Sequence, residues 1–148
     1  MRLLGLSGLA LLLAAPAALA QGQSISVSHA SVDLTVPVGP GGYGTAVNTS
    51  AVLNWTGFTP NRTAKVTVGT TAPGQVLTLQ ITATNVAQGT STGTVTLLHG
   101  AAARDLVRDI PRRAVGQATL RYEAGAPAGP FVGARQDFHT VVFTITQQ

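Results

Sequence analysis

Histidine and acidic residues are the side chains of this sequence that could bind a metal or carry catalysis. Three histidines occur, His29, His99 and His139, and three imidazoles can hold zinc while leaving one coordination position open. They lie far apart in the sequence, and none has the short spacing of a zinc motif. We therefore predict no metal site, and we expect the histidines at strand ends, where the core meets solvent.

Asp137 and His139 are the one acid–histidine pair, and they lie two residues apart on one face of a predicted strand. An acid beside a histidine is half of a catalytic triad. No nucleophile motif accompanies the pair, because the sequence has no Gly-x-Ser-x-Gly and no cysteine. Asp105 and Asp109 each follow an arginine, which indicates a solvated charge cluster. We predict no enzymatic activity and no cofactor, and an enzyme using Asp137 and His139 is the third functional hypothesis.

An arginine group follows in the second half of the chain: Arg104, Arg108, Arg112, Arg113 and Arg121. One interpretation is a patch for an anionic ligand such as an acidic polysaccharide or a membrane surface. The other, which we favour, is a polar segment whose charges keep a weakly charged protein soluble, since Asp105 and Asp109 offset part of the charge. The candidate contact residues are Tyr43, in a Gly-rich loop, with Arg104, Arg108, Arg112 and Arg113.

The elements that would position these side chains are β-strands, because apolar and polar residues alternate with a period of two. The last run is 137–146, with Val141, Phe143 and Ile145 on the face that we expect to be buried and His139 at its rim. Other runs occupy residues 51–58, 64–68, 75–84, 94–99 and 117–123. We predict an all-β fold, an antiparallel immunoglobulin-like β-sandwich of seven or eight short strands with at most one short helix; a closed barrel is the alternative.

Two segments depart from simple alternation. In residues 24–37 the apolar positions change phase, from Ile25 and Val27 to Val32, Leu34 and Val36, which predicts a bulge, a bend or a crossing between sheets. In residues 101–110 the apolar side chains fall at helical spacing before Pro111, and a short helix and an irregular loop are equally compatible with it.

The first twenty residues have the composition of a signal peptide, with Arg2, an apolar stretch and a small-x-small site ending at Ala20. Cleavage there leaves 21–148 as a single domain, and an uncleaved N-terminal anchor is the alternative. Export without any cysteine fits a bacterial protein of the periplasm, cell surface or extracellular space. With 9% charged residues and a net charge of +4, the chain lacks the dense basic surface of nucleic-acid-binding proteins. We predict no nucleic-acid partner and no membrane span after cleavage.

The end of the chain also resembles a known family. Residues 133–146 read GARQDFHTVVFTIT and follow the strand 116–122 and a Gly/Pro/Ala-rich loop. This hairpin is similar to the closing strands of bacterial spore-coat-U-like pilins of the archaic chaperone–usher class, and to those of WxL-type cell-surface domains. The chain departs from both, because it has no cysteine and Trp55 is followed by Thr56 and Gly57. The resemblance implies a β-sandwich of a cell surface or a fibre.

These observations give two leading hypotheses. The first is an exported bacterial structural or interaction protein that acts through protein contacts at the cell envelope, as a surface or fibre subunit with a protein partner or through self-assembly. Residues 24–36 are long enough to pair with a neighbouring chain by strand addition. The second is a periplasmic or secreted module that binds carbohydrate or an anionic polymer through Tyr43, Trp55 and the arginine group.

Overall fold

The computed structural model describes residues 8–10, 23–57, 61–127 and 136–148. The predicted signal peptide therefore lies outside the described residues except for Gly8–Ala10, and so does most of the Gly/Pro-rich loop before the last strand. Every regular element in the described ranges is a β-strand, and all strand pairs are antiparallel.

Fourteen strands occur in these ranges. Eight have four or more residues: β2 (Ser24–Val27), β7 (Val52–Gly57), β8 (Ala64–Thr71), β9 (Leu77–Ala87), β11 (Thr94–Leu97), β12 (Arg104–Ile110), β13 (Ala114–Pro127) and β14 (Thr140–Gln147). Six are shorter: β1 (Gly8–Ala10), β3 (Ser31–Asp33), β4 (Val38–Gly39), β5 (Gly42–Tyr43), β6 (Ala46–Asn48) and β10 (Thr90–Ser91).

Two large sheets contain most of these strands. One has the spatial order β10-β12-β8-β14, and the other has the order β11-β9-β13-β7-β2, with β6 also paired to β13. The pairs β1–β3 and β4–β5 form two small additional sheets. Apart from β12, each strand of six or more residues buries alternate residues in one hydrophobic core, as the side-chain alternation of a strand requires. The prediction of an all-β, antiparallel β-sandwich is confirmed.

The buried faces are those that the alternation predicted. Val141, Phe143 and Ile145 of β14 are at most 3% exposed, and Trp55 of β7 is 1% exposed. Burial of a side chain such as Phe or Ile contributes about 1.5–3 kcal/mol relative to leaving it in water. The chain changes sheets between Ile25 and Val32, because β2 belongs to the sheet that also contains β7 and β13, whereas β3 pairs with β1. The predicted break in residues 24–37 is therefore confirmed as a bend between two sheets.

Residues 101–110 correct the sequence prediction, which left a helix and an irregular loop open. The segment contains the strand β12, paired with β8 in a register that shifts between Asp105 and Val107 and again between Val107 and Ile110. Bulges place an extra residue on one strand, so that the buried residues Leu106, Val107 and Ile110 lose their period of two. Asp109 has a φ of 55° at the second irregularity. A doubly bulged strand thus produced the helix-like spacing.

Candidate functional site

Asp137 has a structural role in the segment that leads into β14. Its side chain is 8% exposed, and Oδ2 accepts hydrogen bonds from the backbone amides of Val76, at 2.8 Å, and Leu77, at 2.6 Å. Those amides open β9, so the carboxylate ties the start of one sheet's strand to the chain that enters the other sheet. Two backbone donors on one buried carboxylate are the charge-assisted hydrogen bonds that contribute most to stability.

His139 is buried, at 4% exposure, and the prediction that it lies at the rim of the core is wrong. Its Nδ1 is 3.4 Å from Oγ1 of Thr70 on β8, and that hydroxyl donates to the carbonyl oxygen of Thr140 at 3.2 Å. The Thr70 hydroxyl thus lies between the imidazole of His139 and the backbone at the start of β14. Burial lowers the pKa of His139, and the charge of Asp137 partly offsets that effect.

Asp137, His139 and Thr70 thus have the residue types of an acid–base–nucleophile triad but not its geometry. The carboxylate binds backbone amides, and the Thr70 hydroxyl is buried with its proton committed to a carbonyl. In a working triad the acid orients the histidine and the histidine takes the proton of the nucleophile. The described contacts of these residues support a structural role, in which hydrogen bonds hold β8, β9 and the segment before β14 together at one end of the sandwich.

The same end of the sandwich carries exposed apolar side chains that were not among the predicted contact residues. Phe138 is 60% exposed between the buried residues Asp137 and His139, and Leu98 is 54% exposed. The backbone on each side of Leu98 is held by Gln75, whose Nε2 donates to the Leu97 carbonyl at 3.0 Å and whose Oε1 accepts from the His99 amide at 2.8 Å. The period of two could have identified Phe138, since it has the parity of the outward threonines of β14.

The remaining histidines, His29 and His99, form hydrogen bonds with residues other than Asp137 and His139. His29 is exposed and its Nδ1 lies 2.8 Å from the Ser28 hydroxyl, whereas His99 accepts a hydrogen bond from the Ala72 amide at 3.0 Å. Within the described ranges, no group of three or more His, Cys, Asp and Glu residues is placed to hold a metal ion. His29 and His99 therefore act in local hydrogen bonding near strand ends.

The structure divides the arginine group between the two sheets. Arg104 and Arg108 lie on β12, Arg112 and Arg113 lie in the exposed turn before β13, and Arg121 lies on β13, where it pairs with Glu123. A continuous anionic-ligand patch of all five is therefore not formed. The four residues from Arg104 to Arg113 remain exposed along one strand and its turn.

Asp105 partly neutralises this strand. It is bridged by Nζ of Lys65, at 3.0 Å, and by the guanidinium of Arg108, at 2.7 Å. The hydrogen bond from Lys65, with help from Arg108, lowers the pKa of Asp105 below its ordinary value. Asp105 and Asp109 do not share a helical face, because the segment is a bulged strand. Of the charge cluster predicted from the sequence, Asp105 and Arg108 form an ion-pair network with Lys65.

Tyr43 was expected to be an exposed contact residue in a loop. It lies instead in the hairpin of β4 and β5, half-buried, and packs against the hydrophobic core. The Gly-rich segment forms this hairpin because Gly42, with a φ of 103°, adopts a turn conformation that other residues rarely take. The surface that Tyr43 offers to a ligand is correspondingly smaller than the sequence suggested.

The edge formed by β14 is the most extended unpaired feature of the described sheets. β14 pairs along its whole length with β8 in an unbroken register, and it ends its sheet, so that no described strand bonds to its other side. The carbonyl of Thr140 accepts from Thr70, and the amide of Gln148 donates to the Thr63 carbonyl at 2.8 Å. Since backbone groups alternate in direction along a strand, the odd-numbered residues 141–147 direct theirs to the open side.

Comparison of the chain with protein-family models, curated proteins and solved structures finds no match. The described ranges also hold no helix with the length and apolar character needed to cross a bilayer. Any function must therefore be argued from the geometry of the edges, surfaces and pockets themselves.

Proposed function

We propose that this protein is an exported structural or interaction protein of the bacterial cell envelope, which works by adding a strand of a partner or of a second copy to its sheet. The observation that carries the proposal is the open edge of β14. The edge strand is eight residues long, has no proline, no bulge and no charged residue, and is held in one register by β8. Natural sheets usually protect such an edge with lysine, proline or a bulge, because it pairs readily with other chains.

A second feature supports strand addition at the same domain. β3 pairs only with β1 among the described strands, and β1 lies inside the predicted signal peptide. Removal of residues 1–20 would take this partner away and leave the backbone groups of Ser31–Asp33 open. β1 also lies near β14 in the full chain. The mature protein would then have two neighbouring unpaired edges, which suits a subunit that is completed by another chain.

The structure changes one part of the original hypothesis. Residues 24–36 were expected to supply a strand for a neighbouring chain, but β2 is already paired with β7 and contributes Ile25 and Val27 to the core. Strand addition at β14 requires no such rearrangement, since no described strand pairs with its outer side. We therefore assign β14 as the acceptor edge.

The test uses the mature chain, residues 21–148, and a charge placed on the edge. Thr144 is half-buried on the outer face of β14, so Thr144→Lys adds an edge lysine without entering the core. Thr119→Lys is the matched control, because Thr119 lies on the outer face of β13 with a strand on both sides. Light scattering after size-exclusion chromatography and negative-stain microscopy should show oligomers or fibres for the parent and for Thr119→Lys, and monomers for Thr144→Lys.

Two outcomes would contradict the proposal. One is a parent chain that stays monomeric up to its solubility limit and retains no partner from cell-envelope extracts. The other is a Thr144→Lys chain that assembles as the parent does, because the association would then use another surface.

A further inference from the structure

A pocket of about 340 Å³ lies on the outer face of the larger sheet, where β2, β7 and β13 run side by side. This volume falls at the lower end of the range of small-molecule sites, roughly 300–1,000 Å³. No residue of β14 lines this pocket, and its assignment does not depend on the proposed function. Its lining residues are Ser24, Ser26, Asn54, Trp55, Thr56, Ala87, Val115, Gly116 and Gln117.

The strand register arranges the lining as two parallel rows. Ser24, Thr56 and Val115 are cross-strand neighbours in one row, and Ser26, Asn54 and Gln117 are cross-strand neighbours in the other. Neighbours within a row are about 5 Å apart, and rows two residues apart are separated by roughly 7 Å. Between them lie Trp55 and Gly116, also register partners, of which Trp55 turns its side chain into the core.

The irregular end of β9 closes one side of this grid. The register of β9 against β13 shifts between the pairs Thr84–Thr119 and Ala87–Gln117. Asn85, which lies within this irregular part of β9, has a φ of 50°. Ala87 therefore lines the pocket as an apolar edge instead of continuing the flat sheet.

The polar groups of the lining are available to a ligand. Three hydroxyls and two amides face the pocket, and within the described part of the chain none of these five side chains is hydrogen-bonded to another protein group. Hydroxyls and amides both donate and accept. Other outward polar residues of this sheet, such as Gln80 with Thr96 and Thr82 with Thr94, bond to each other across the strands. The pocket residues differ from them in having no such partner.

We propose that this pocket binds a neutral sugar unit. None of the lining residues carries a charge, which disfavours phosphates, carboxylates and cations as ligands. Val115, 72% exposed, and Ala87 give the polar grid an apolar side. A sugar ring presents hydroxyls that both donate and accept together with an apolar C–H face, and this combination matches the lining. The two rows are spaced to contact hydroxyls on opposite edges of one ring.

Trp55 provides a built-in reporter, because it is the only tryptophan of the chain and lines the pocket. The mature chain would be titrated with neutral monosaccharides and with the matching disaccharides, following tryptophan fluorescence and backbone amide shifts. The expected result is a saturable change, with shifts confined to residues 24–26, 54–56, 87 and 115–117. Tighter binding of the disaccharide would assign the site to a glycan chain, and equal binding would assign it to a free sugar.

The variants Asn54→Ala and Gln117→Ala each remove one amide from an outward position and should weaken binding about tenfold, which corresponds to 1.4 kcal/mol. Gln80→Ala is the matched control, since it removes an amide from the same sheet outside the pocket, and it should bind as the parent does. Unchanged thermal unfolding of each variant verifies its fold. The absence of saturable binding of any neutral sugar, or equal binding by all three variants, would overturn the assignment.

Discussion

Replacing Asp137 by alanine should remove the main tie between the start of β9 and the segment that enters β14. The carboxylate accepts two hydrogen bonds from backbone amides, and hydrogen bonds to charged groups contribute about 1.5–3 kcal/mol each. The Leu77 amide is buried and would lose its acceptor, whereas the half-buried Val76 amide can gain water. We therefore expect Asp137→Ala to lower the free energy of unfolding by about 3–4 kcal/mol.

The size of the effect is measurable by urea and thermal unfolding. For a domain of this size, 1 kcal/mol corresponds to a change in Tm of roughly 3–5 °C, so Asp137→Ala should lower Tm by about 9–20 °C. Asp137→Asn keeps a neutral acceptor and should cost about half as much in free energy. Hydrogen exchange should show lost protection at the amides of Val76 and Leu77 in particular.

The exposed residue Asp33 is the matched control, and Asp33→Ala should change the free energy of unfolding by less than about 0.5 kcal/mol. If Asp137→Ala were as stable as Asp33→Ala, or if exchange at Val76 and Leu77 were unaltered, the structural role assigned to this carboxylate would be wrong. An acid with a catalytic function would then have to be considered again.

Three further predictions follow from buried groups. His139 has a lowered pKa, so the unfolded chain binds a proton at this residue before the folded chain does as pH falls below about 6.5. The free energy of unfolding of the parent should therefore decrease below this pH, by up to about 1.4 kcal/mol per pH unit, more steeply than that of His139→Gln. Parallel pH profiles of the two proteins would contradict this prediction. Gly116→Ala would place a Cβ against the Ala87 carbonyl and 2.5 Å from Nε1 of Trp55, so it should lower the free energy of unfolding by about 1–3 kcal/mol and alter Trp55 fluorescence. The control Gly41→Ala adds a Cβ that meets nothing within 4 Å and should leave both unchanged. A Gly116→Ala chain as stable as the parent would refute the close packing of these strands. The Tyr122 hydroxyl is buried without a hydrogen-bond partner in the described residues, and burial raises its pKa. Tyr122→Phe should therefore leave the free energy of unfolding unchanged or raise it by up to about 1–2 kcal/mol, and it should reduce the loss of stability above pH 10. A clear destabilisation would reveal a partner for the hydroxyl.

The buried faces of the sheets could be read from the sequence because they depend on local alternation. Val141, Phe143 and Ile145, and also Trp55 with Leu53, lie inward as their parity requires. β12 could not be read in this way, since its two bulges are set by pairing with β8 and change the parity of Leu106, Val107 and Ile110. A bulge leaves no local signal that distinguishes it from a helical turn.

The candidate sites were harder to predict, because they depend on which strands become neighbours. His139 continues the apolar face of β14, and the sequence cannot show that Thr70, sixty-nine residues earlier, covers it. Asp137 meets the amides of Val76 and Leu77 across sixty residues of chain. In the sequence it is simply an acid near a histidine, and only the pairing of distant strands distinguishes a structural carboxylate from a catalytic one.

The position of β14 in its sheet leads to the same conclusion about function. The alternation of Thr and Val predicts a strand with one buried face, and this description fits a central strand and an edge strand equally. The topology decides between them, because β8 occupies one side of β14 and no described strand occupies the other. The absence of charge on β14 is unremarkable in a central strand, but on an edge it removes the usual protection against pairing. The residues of this strand therefore acquire a functional meaning only from its place in the sheet, and the proposal of strand addition depends on that place.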